Sequence, residues 1–125
     1  MATFPARKDC YVRAVESILP QVDRLCICFN EYDEIPGNCP KSDKIVAICA
    51  NGKNGIPDLG CMNKMYWIED YAGYYAIVDD DIIYEPDYIS FMKKGLKHYD
   101  NRVVVAIQAR ILDKNAETLK IYLKD

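Results

Sequence analysis

"RLCICFN" (residues 24–30) and "KIVAICA" (residues 44–50) are two short runs in which most side chains are apolar. A strand with one solvated face alternates apolar and polar residues, whereas a strand buried on both faces is a continuous apolar run. Similar runs recur at "YYAIVD" (residues 74–79) and "RVVVAIQA" (residues 102–109). Buried strands that are separated by helices or long loops are typical of βαβ units. The sequence therefore predicts a mostly parallel sheet.

Helical patterns lie between these runs. The first is expected to be capped by Asp9 and to end at Pro20, the second to be capped by Asp58, and the third to have Pro86 in its first turn. Apolar residues recur at helical spacing in all three. The predicted apolar faces are Tyr11, Val12, Val15, Ile18 and Leu19 in the first helix, Leu59, Met62 and Tyr66 in the second, and Tyr88, Phe91, Met92, Gly95, Leu96 and Tyr99 in the third.

The expected fold class is α/β, with an open, mostly parallel Rossmann-like sheet and helices on both faces. At 125 residues the chain is expected to form a single domain. Its first strand, within residues 1–4, is short for a buried strand. The clipped first strand indicates a truncated fold, and no element is assigned to a tail at residues 110–125.

The composition excludes several classes of protein. Half of the residues are apolar and charges of both signs are spread along the chain, which argues against disorder. A formal net charge of −3 argues against a general nucleic-acid binder, which needs a basic face. No segment approaches the roughly 20 apolar residues of a membrane span, and residues 1–7 lack the apolar core of a signal peptide. We therefore expect a soluble chain.

Six cysteines raise the question of disulfides or a metal site. Cys26 and Cys28 alternate with larger apolar residues, as small hydrophobic side chains on one face of a strand do. The chain contains no C-x-x-C pair and one histidine, so a zinc site is not expected. We expect reduced thiols in a cytoplasmic protein. The six residues are Cys10, Cys26, Cys28, Cys39, Cys49 and Cys61.

Three consecutive carboxylic acids, Asp79, Asp80 and Asp81, directly follow the third apolar run. Two like charges about 4 Å apart repel by roughly 4 kcal/mol at an effective dielectric near 20, so the triplet needs a cation, protonation or solvent. Carboxyl ends of parallel strands share one edge, where residues 3–7, 30–33 and 51–53 are also expected. Mg²⁺ or Mn²⁺ fits, because such ions take one or two carboxylates plus substrate phosphates. A solvated acidic turn is the alternative.

The stretches "ATFPARKDCYVRAVESILPQVDRLCICFN" (residues 2–30) and "IPDLGCMNKMYWIEDYAGYYAIVDDDIIYEPDYI" (residues 56–89) resemble a known family. They are similar to the nucleotide-sugar half of GT-A glycosyltransferases, especially the family 2-like enzymes. The segment "VDDDIIYEPDYI" resembles their D-x-D motif and the helix that follows it. The resemblance covers residues 2 to about 107.

The resemblance implies a role for each matching position. Asp81 would hold the metal that binds the donor diphosphate, with Asp79 as a second metal ligand or a contact to the ribose or the sugar. Lys64 would approach the nucleotide, although a solvated helix lysine is the alternative. Arg7 would lie along the nucleotide, or else pair with Asp9. The other implied donor-binding residues are Thr3, Phe4, Pro5, Asp80, and Asn30 or Glu31; Asn30 has the alternative of simply ending its strand.

The implied activity is metal-dependent transfer of a sugar from a nucleotide-diphosphate donor to an unknown acceptor. A divalent ion assists by stabilising the negative charge that grows on the departing diphosphate. Family members normally continue into an acceptor half that supplies the catalytic base, but here residues 110–125 are all that follow the fourth run. Asp113 and Glu117 are candidates for that base, yet a solvated amphipathic tail is favoured, and the catalytic residues stay unassigned.

Two other functions remain open. One is a domain that binds a sugar nucleotide without turnover. The other is a magnesium-binding receiver domain, which has a similar length and fold. A receiver needs paired acids after its first strand and a lysine after its last, whereas this chain has "PARKD" and Arg110 there.

Overall fold

The computed structural model describes residues 1–107, together with the backbone of Ala109–Leu112 and Leu119–Tyr122. The chain divides into two compact units, Met1–Ile89 and Ser90–Asp125. The first unit contains an open parallel sheet and every residue that the sequence places in the candidate site.

Three strands form this sheet: β1 (Ala2–Thr3), β2 (Leu25–Asn30) and β3 (Ile45–Ala50). They are parallel in the order β1-β2-β3, with Thr3 opposite Phe29 and Leu25 opposite Ile45. This order is compatible with half of a Rossmann-like sheet, in which the first strand lies beside the point where strand order reverses. Two of the four apolar runs predicted as strands, residues 24–30 and 44–50, are confirmed, as is the short first strand.

Helix α1 (Tyr11–Ile18) covers one face of the sheet. Tyr11, Val15 and Ile18 are fully buried there, in the same cluster as Ile27 and Phe29. The predicted cap at Asp9 is wrong, because the helix starts after Cys10 and has no side-chain cap. The predicted end is close, since Pro20 lies in a 3₁₀ turn, Leu19–Gln21, directly after α1.

The opposite face is packed around Trp67, which is 5% exposed. Ala2, Cys28 and Ala50 form the rest of this second core cluster, and Cys26 packs at its edge. The expectation that Cys26 and Cys28 share a strand face is thereby confirmed. All six cysteines are free.

The segment expected to be the second α-helix is a 3₁₀ helix, Gly60–Met65. The predicted cap at Asp58 is wrong, because Leu59 is at the N-cap position and the helix has no side-chain cap. Asp58 lies one residue earlier and accepts a hydrogen bond from the backbone N–H of Gly60 at 2.8 Å. The predicted apolar face is wrong: Leu59, Met62 and Tyr66 are 58%, 58% and 48% exposed. Asn63 is turned inward instead, because its amide is hydrogen-bonded within the core.

Residues 74–79 do not form the predicted strand. Tyr74 and Ile77 in this segment are about half exposed, at 50% and 51%. At its end, the backbone N–H of Asp79 donates to the Tyr84 hydroxyl at 2.6 Å rather than to a neighbouring strand. A local side-chain hydrogen bond thus satisfies a donor that a sheet ladder would otherwise use.

Helix α2 (Tyr88–His98) begins at the end of the first unit and continues into the second, and none of its side chains is buried. The predicted parallel strand at residues 102–109 is wrong, because residues 102–107 form no strand and Val104 is 95% exposed. Left-handed residues Asp100 and Asn101 turn the chain just before it. Strands β4 (Ala109–Leu112) and β5 (Leu119–Tyr122) pair antiparallel.

Across the described residues, no helix combines the length and the hydropathy of a membrane span.

Candidate functional site

The candidate site lies where the parallel strands end. β1, β2 and β3 end at Thr3, Asn30 and Ala50. Parallel strands that share a sheet have their carboxyl ends at the same edge. Hydrogen bonds and ion pairs connect the loops that the sequence predicts at this edge, residues 3–7, 30–33, 51–53 and 79–81.

Arg7 joins the first loop to the acidic triplet. It lies in the 3₁₀ helix Pro5–Arg7, where its backbone N–H donates to the carbonyl oxygen of Phe4 at 2.8 Å. Its guanidinium Nη1 lies 2.5 Å from Oδ2 of Asp81, and the two side chains are 38% and 42% exposed. The hydrogen bond to Asp81 is the largest cause that raises the pKa of Arg7. Arg7 therefore pairs with Asp81 and not with Asp9.

Lys64 forms the second ion pair with the triplet, to Oδ1 of Asp79. The lysine side chain is 17% exposed and that of Asp79 is 51% exposed. Tyr75 holds the lysine's own backbone, because its hydroxyl donates to the carbonyl oxygen of Lys64 at 2.7 Å. Lys64 is thus a mostly buried cation that faces a carboxylate, and the alternative of a solvated surface lysine does not describe it.

Tyr84 anchors the triplet to helix α1, a role that the sequence analysis missed. Its hydroxyl accepts a hydrogen bond from the backbone N–H of Asp79 and donates one to the Asp79 carbonyl oxygen at 3.2 Å. Its backbone N–H donates to Oγ of Ser17 at 2.9 Å. Burial is the main cause that raises the pKa of Tyr84 to about 12. The spacing of apolar residues does not predict such a contact, because the hydrogen bonds join a side chain to the backbone of a nearby residue in a turn.

Asp80 differs from its two neighbours, since the residue is 8% exposed and its Oδ2 has no hydrogen-bond partner among the described residues. The hydroxyl of Tyr32 is likewise buried without such a partner. Burial is the main cause that raises the pKa of Tyr32, and the charge of Asp80 is the next. Asp80 is therefore close enough to act on Tyr32, which follows β2. Buried polar groups without partners are rare, so water, an ion or a ligand is expected to satisfy these two atoms.

The loops after β2 and β3 are held together by side chains. Asn51 donates to the carbonyl oxygen of Tyr32 at 2.9 Å and to Oδ1 of Asp33 at 3.0 Å. Lys53 forms an exposed ion pair with Asp33, with Nζ 2.6 Å from Oδ1. The predicted convergence of these two loops is confirmed.

The remaining candidates differ in how accessible they are. Asn30 is 5% exposed, and both ends of its amide are used: Nδ2 donates to the Gly60 carbonyl oxygen at 2.8 Å and Oδ1 accepts from Asn63 at 2.9 Å. Glu31 is exposed and has a left-handed backbone with φ of 64°. Thr3 is 1% exposed, and its hydroxyl has no hydrogen-bond partner in the described part of the chain. Phe4 and Pro5 are exposed.

The absence of a metal-binding cluster and the position of a surface depression also bear on the site. Within the described residues, no group of three or more His, Cys, Asp and Glu side chains is arranged to hold a metal ion. An open depression of about 440 Å³ lies elsewhere in the first unit. It includes none of the predicted site residues and is lined by Ile35, Pro36, Gly37, Cys39, Pro40, Lys41, Ser42, Ile45 and Ala47.

The fold and the site together define a class: a small α/β protein with an open parallel sheet and a cluster of acidic and basic side chains beyond the carboxyl ends of its strands. Comparison of the sequence with models of known protein families found no match. Comparison with curated proteins also found none.

Proposed function

We propose that this chain binds a nucleotide-diphosphate sugar together with Mn²⁺ or Mg²⁺, as the donor half of a GT-A glycosyltransferase of the family 2-like type. One observation carries the proposal: two basic side chains, Arg7 and Lys64, contact Asp81 and Asp79 beside the carboxyl ends of parallel strands. Ligands of open α/β sheets bind in this region.

A metal–diphosphate needs acidic and basic partners in the same place. Carboxylates bind the divalent ion, which usually takes one or two of them together with waters and substrate phosphates. Arginine and lysine bind phosphate oxygens, arginine through a planar fork and lysine as a point charge. The side chains of Asp79 and Asp81 are 51% and 42% exposed, so their oxygens are accessible to such an ion. The residues present therefore fit a site that the substrate completes.

Each side chain then has a distinct task. Asp81 and Asp79 hold the ion, which supplies Lewis-acid stabilisation of the leaving diphosphate when bound. Lys64 and Arg7 bind the phosphate oxygens, and Phe4 and Pro5 lie along the nucleotide. Glu31 is the exposed acidic group available to the base, because the amide of Asn30 is occupied within the protein.

The test is titration calorimetry of uridine and guanosine diphosphates in the presence of Mn²⁺. Asp81→Asn preserves the shape of the side chain but removes its charge. We expect the affinity of the nucleotide that binds to fall tenfold or more, about 1.4 kcal/mol. The matched control is Asp23→Asn, because Asp23 is exposed and lies before β2, at the opposite end of the sheet.

Unchanged affinity in Asp81→Asn, with native circular dichroism, would contradict the metal assignment. The absence of Mn²⁺-dependent nucleotide binding in the unaltered chain would contradict the function as a whole. Turnover is followed separately, as nucleotide and glycosylated product released from a panel of nucleotide sugars.

A further inference from the structure

Both outer carboxylates of the triplet are occupied by the protein's own cations. Arg7 lies 2.5 Å from Asp81, and Lys64 contacts Asp79. Under the proposed function, the two aspartates bind the metal and the two basic residues bind the diphosphate. In the structure, the aspartates assigned to the metal are therefore paired with the basic side chains assigned to the diphosphate.

We propose that ligand loading is an exchange of partners: the divalent cation replaces Arg7 and Lys64 on Asp81 and Asp79, and the released basic side chains bind the diphosphate. This inference rests on the proposed function. In the free protein, Arg7 and Lys64 act as internal counterions that compete with the metal. No covalent bond forms or breaks in this exchange.

The two pairs differ in how easily they separate. The Arg7–Asp81 pair is 38% and 42% exposed, so water can solvate both charges when it opens. Ion pairs between partly exposed side chains contribute little to stability, because water screens both charges. Lys64 is 17% exposed, and a poorly solvated ammonium without a partner is costly. A cation therefore displaces Arg7 from Asp81 readily. Lys64 separates from Asp79 only when a phosphate replaces Asp79 as its partner.

Asp80 supplies an independent indication that the cluster takes a further ligand. It is 8% exposed, and its Oδ2 has no hydrogen-bond partner among the described residues. A buried polar group without a hydrogen-bond partner destabilises the folded protein. Neither internal ion pair involves this oxygen, so it is available to a cation or to a water molecule that a cation carries.

The exchange makes an unusual prediction, because Arg7 opposes one ligand and assists the other. Arg7→Gln removes the competitor for Asp81, so Mn²⁺ alone should bind about two- to fivefold more tightly, the range expected for a partly exposed ion pair. The same variant loses a phosphate contact, so inorganic pyrophosphate should bind more weakly without metal. A basic residue that served the phosphate alone would leave Mn²⁺ affinity unchanged.

The experiment has two separate titrations. Binding of Mn²⁺ alone is measured by electron paramagnetic resonance, and binding of inorganic pyrophosphate is measured by calorimetry in the presence of a chelator. Arg13→Gln is the matched control, because Arg13 is exposed on helix α1 and the substitution changes the net charge equally. Work at 0.15 M salt, where the Debye length is about 8 Å, suppresses the general effect of net charge. Arg7→Lys keeps the positive charge and should restore most of the competition.

The outcomes separate this inference from the proposed function. Equal or weaker Mn²⁺ binding in a folded Arg7→Gln variant overturns the exchange, even where Mn²⁺-dependent nucleotide binding is intact. Tighter Mn²⁺ binding in Arg7→Gln but not in Arg13→Gln, with weaker pyrophosphate binding, supports the exchange. Tighter Mn²⁺ binding without nucleotide or pyrophosphate binding by any form of the chain overturns the proposed function and the phosphate half of the exchange. No Mn²⁺ binding by any variant overturns both.

Discussion

Asn63 is a polar side chain with 1% exposure, and it connects the 3₁₀ helix to the end of β2. Its Nδ2 donates to Oδ1 of Asn30 at 2.9 Å and to the carbonyl oxygen of Pro57 at 3.2 Å. Asn63→Ala would leave Oδ1 of the buried Asn30 without this donor. We expect a loss of about 1–3 kcal/mol in the free energy of unfolding, measured by urea denaturation.

Met62→Ala is the control for this prediction, because Met62 is the preceding residue in the same 3₁₀ helix and is 58% exposed. Its change should stay within about 0.5 kcal/mol, as for most surface substitutions. An Asn63→Ala protein as stable as the unaltered chain would show that the amide is dispensable. Lys64, the next residue in the helix, would then be positioned by something other than Asn63.

The ion pairs of the acidic triplet could not be predicted from local sequence spacing. The triplet predicted a divalent cation as its partner, whereas the structure shows Arg7 paired with Asp81 and Lys64 paired with Asp79. Their identity as partners was not predictable by spacing, since Arg7 lies 74 residues from Asp81 and Lys64 lies 15 from Asp79. Helical pairing rules extend three or four residues along the chain. These ion pairs depend on how the first loop and the 3₁₀ helix pack on the sheet.

At the scale of elements, β2 ends in a strained turn. Glu31 follows the last residue of β2 and has a φ of 64°, a conformation that costs a non-glycine residue roughly 1–2 kcal/mol. Its backbone N–H donates to the Ala50 carbonyl oxygen at 3.2 Å, which links it to the end of β3. Glu31→Gly should be about 1 kcal/mol more stable than Glu31→Ala, because glycine relieves the strain at some entropic cost.

Urea denaturation of the two Glu31 variants gives the stability difference, and nucleotide titration gives a second measurement. Both variants lack the carboxylate, so both should weaken nucleotide binding to a similar degree if Glu31 faces the base. Equal stability of Glu31→Gly and Glu31→Ala would mean that the turn carries no strain. Normal nucleotide affinity in both variants would remove Glu31 from the donor site.

The elements also differ in how well periodicity predicted them. β2, β3 and α1 follow their apolar patterns, because β2 and α1 bury most of their apolar side chains and β3 packs its half-buried ones against the same two clusters. The pattern of residues 59–66 failed, since Asn63 and Trp67 are buried in place of Leu59, Met62 and Tyr66. A tertiary hydrogen bond between Asn63 and Asn30 outweighs the local preference here. The strand predicted at residues 74–79 is also absent, and at the end of this segment the backbone N–H of Asp79 donates to the Tyr84 hydroxyl.

For the molecule as a whole, burial of weakly acidic groups predicts sensitivity to alkali. Burial is the main cause that raises the pKa values of Tyr11 and Tyr84 to about 12, from an ordinary value of 10, and that of Cys28 to about 11, from 9. In the unfolded chain these groups lose their protons at lower pH than in the folded protein. The stabilising contribution is therefore complete below about pH 9 and is lost between about pH 9 and 12.

Urea denaturation at a series of pH values from 8 to about 11 measures this loss in the free energy of unfolding. The loss is about 1.4 kcal/mol per pH unit for each group that is deprotonated in the unfolded chain but protonated in the folded protein. Tyr11→Phe should make the decline shallower, because phenylalanine does not titrate. Tyr66→Phe is the control, since Tyr66 is 48% exposed. An identical decline in Tyr11→Phe and in the unaltered chain would show that Tyr11 does not contribute.

The sequence by itself determined the parallel strands β2 and β3, the short first strand and helix α1. These features depend on apolar periodicity and strand direction, which are local properties of the chain. Only the tertiary structure decided that Arg7 and Lys64 neutralise Asp81 and Asp79, that Asp80 is buried, and that Tyr84 holds the turn. The physical reason is that charge pairing and burial depend on distances between segments remote in sequence, which the packing of the sheet sets.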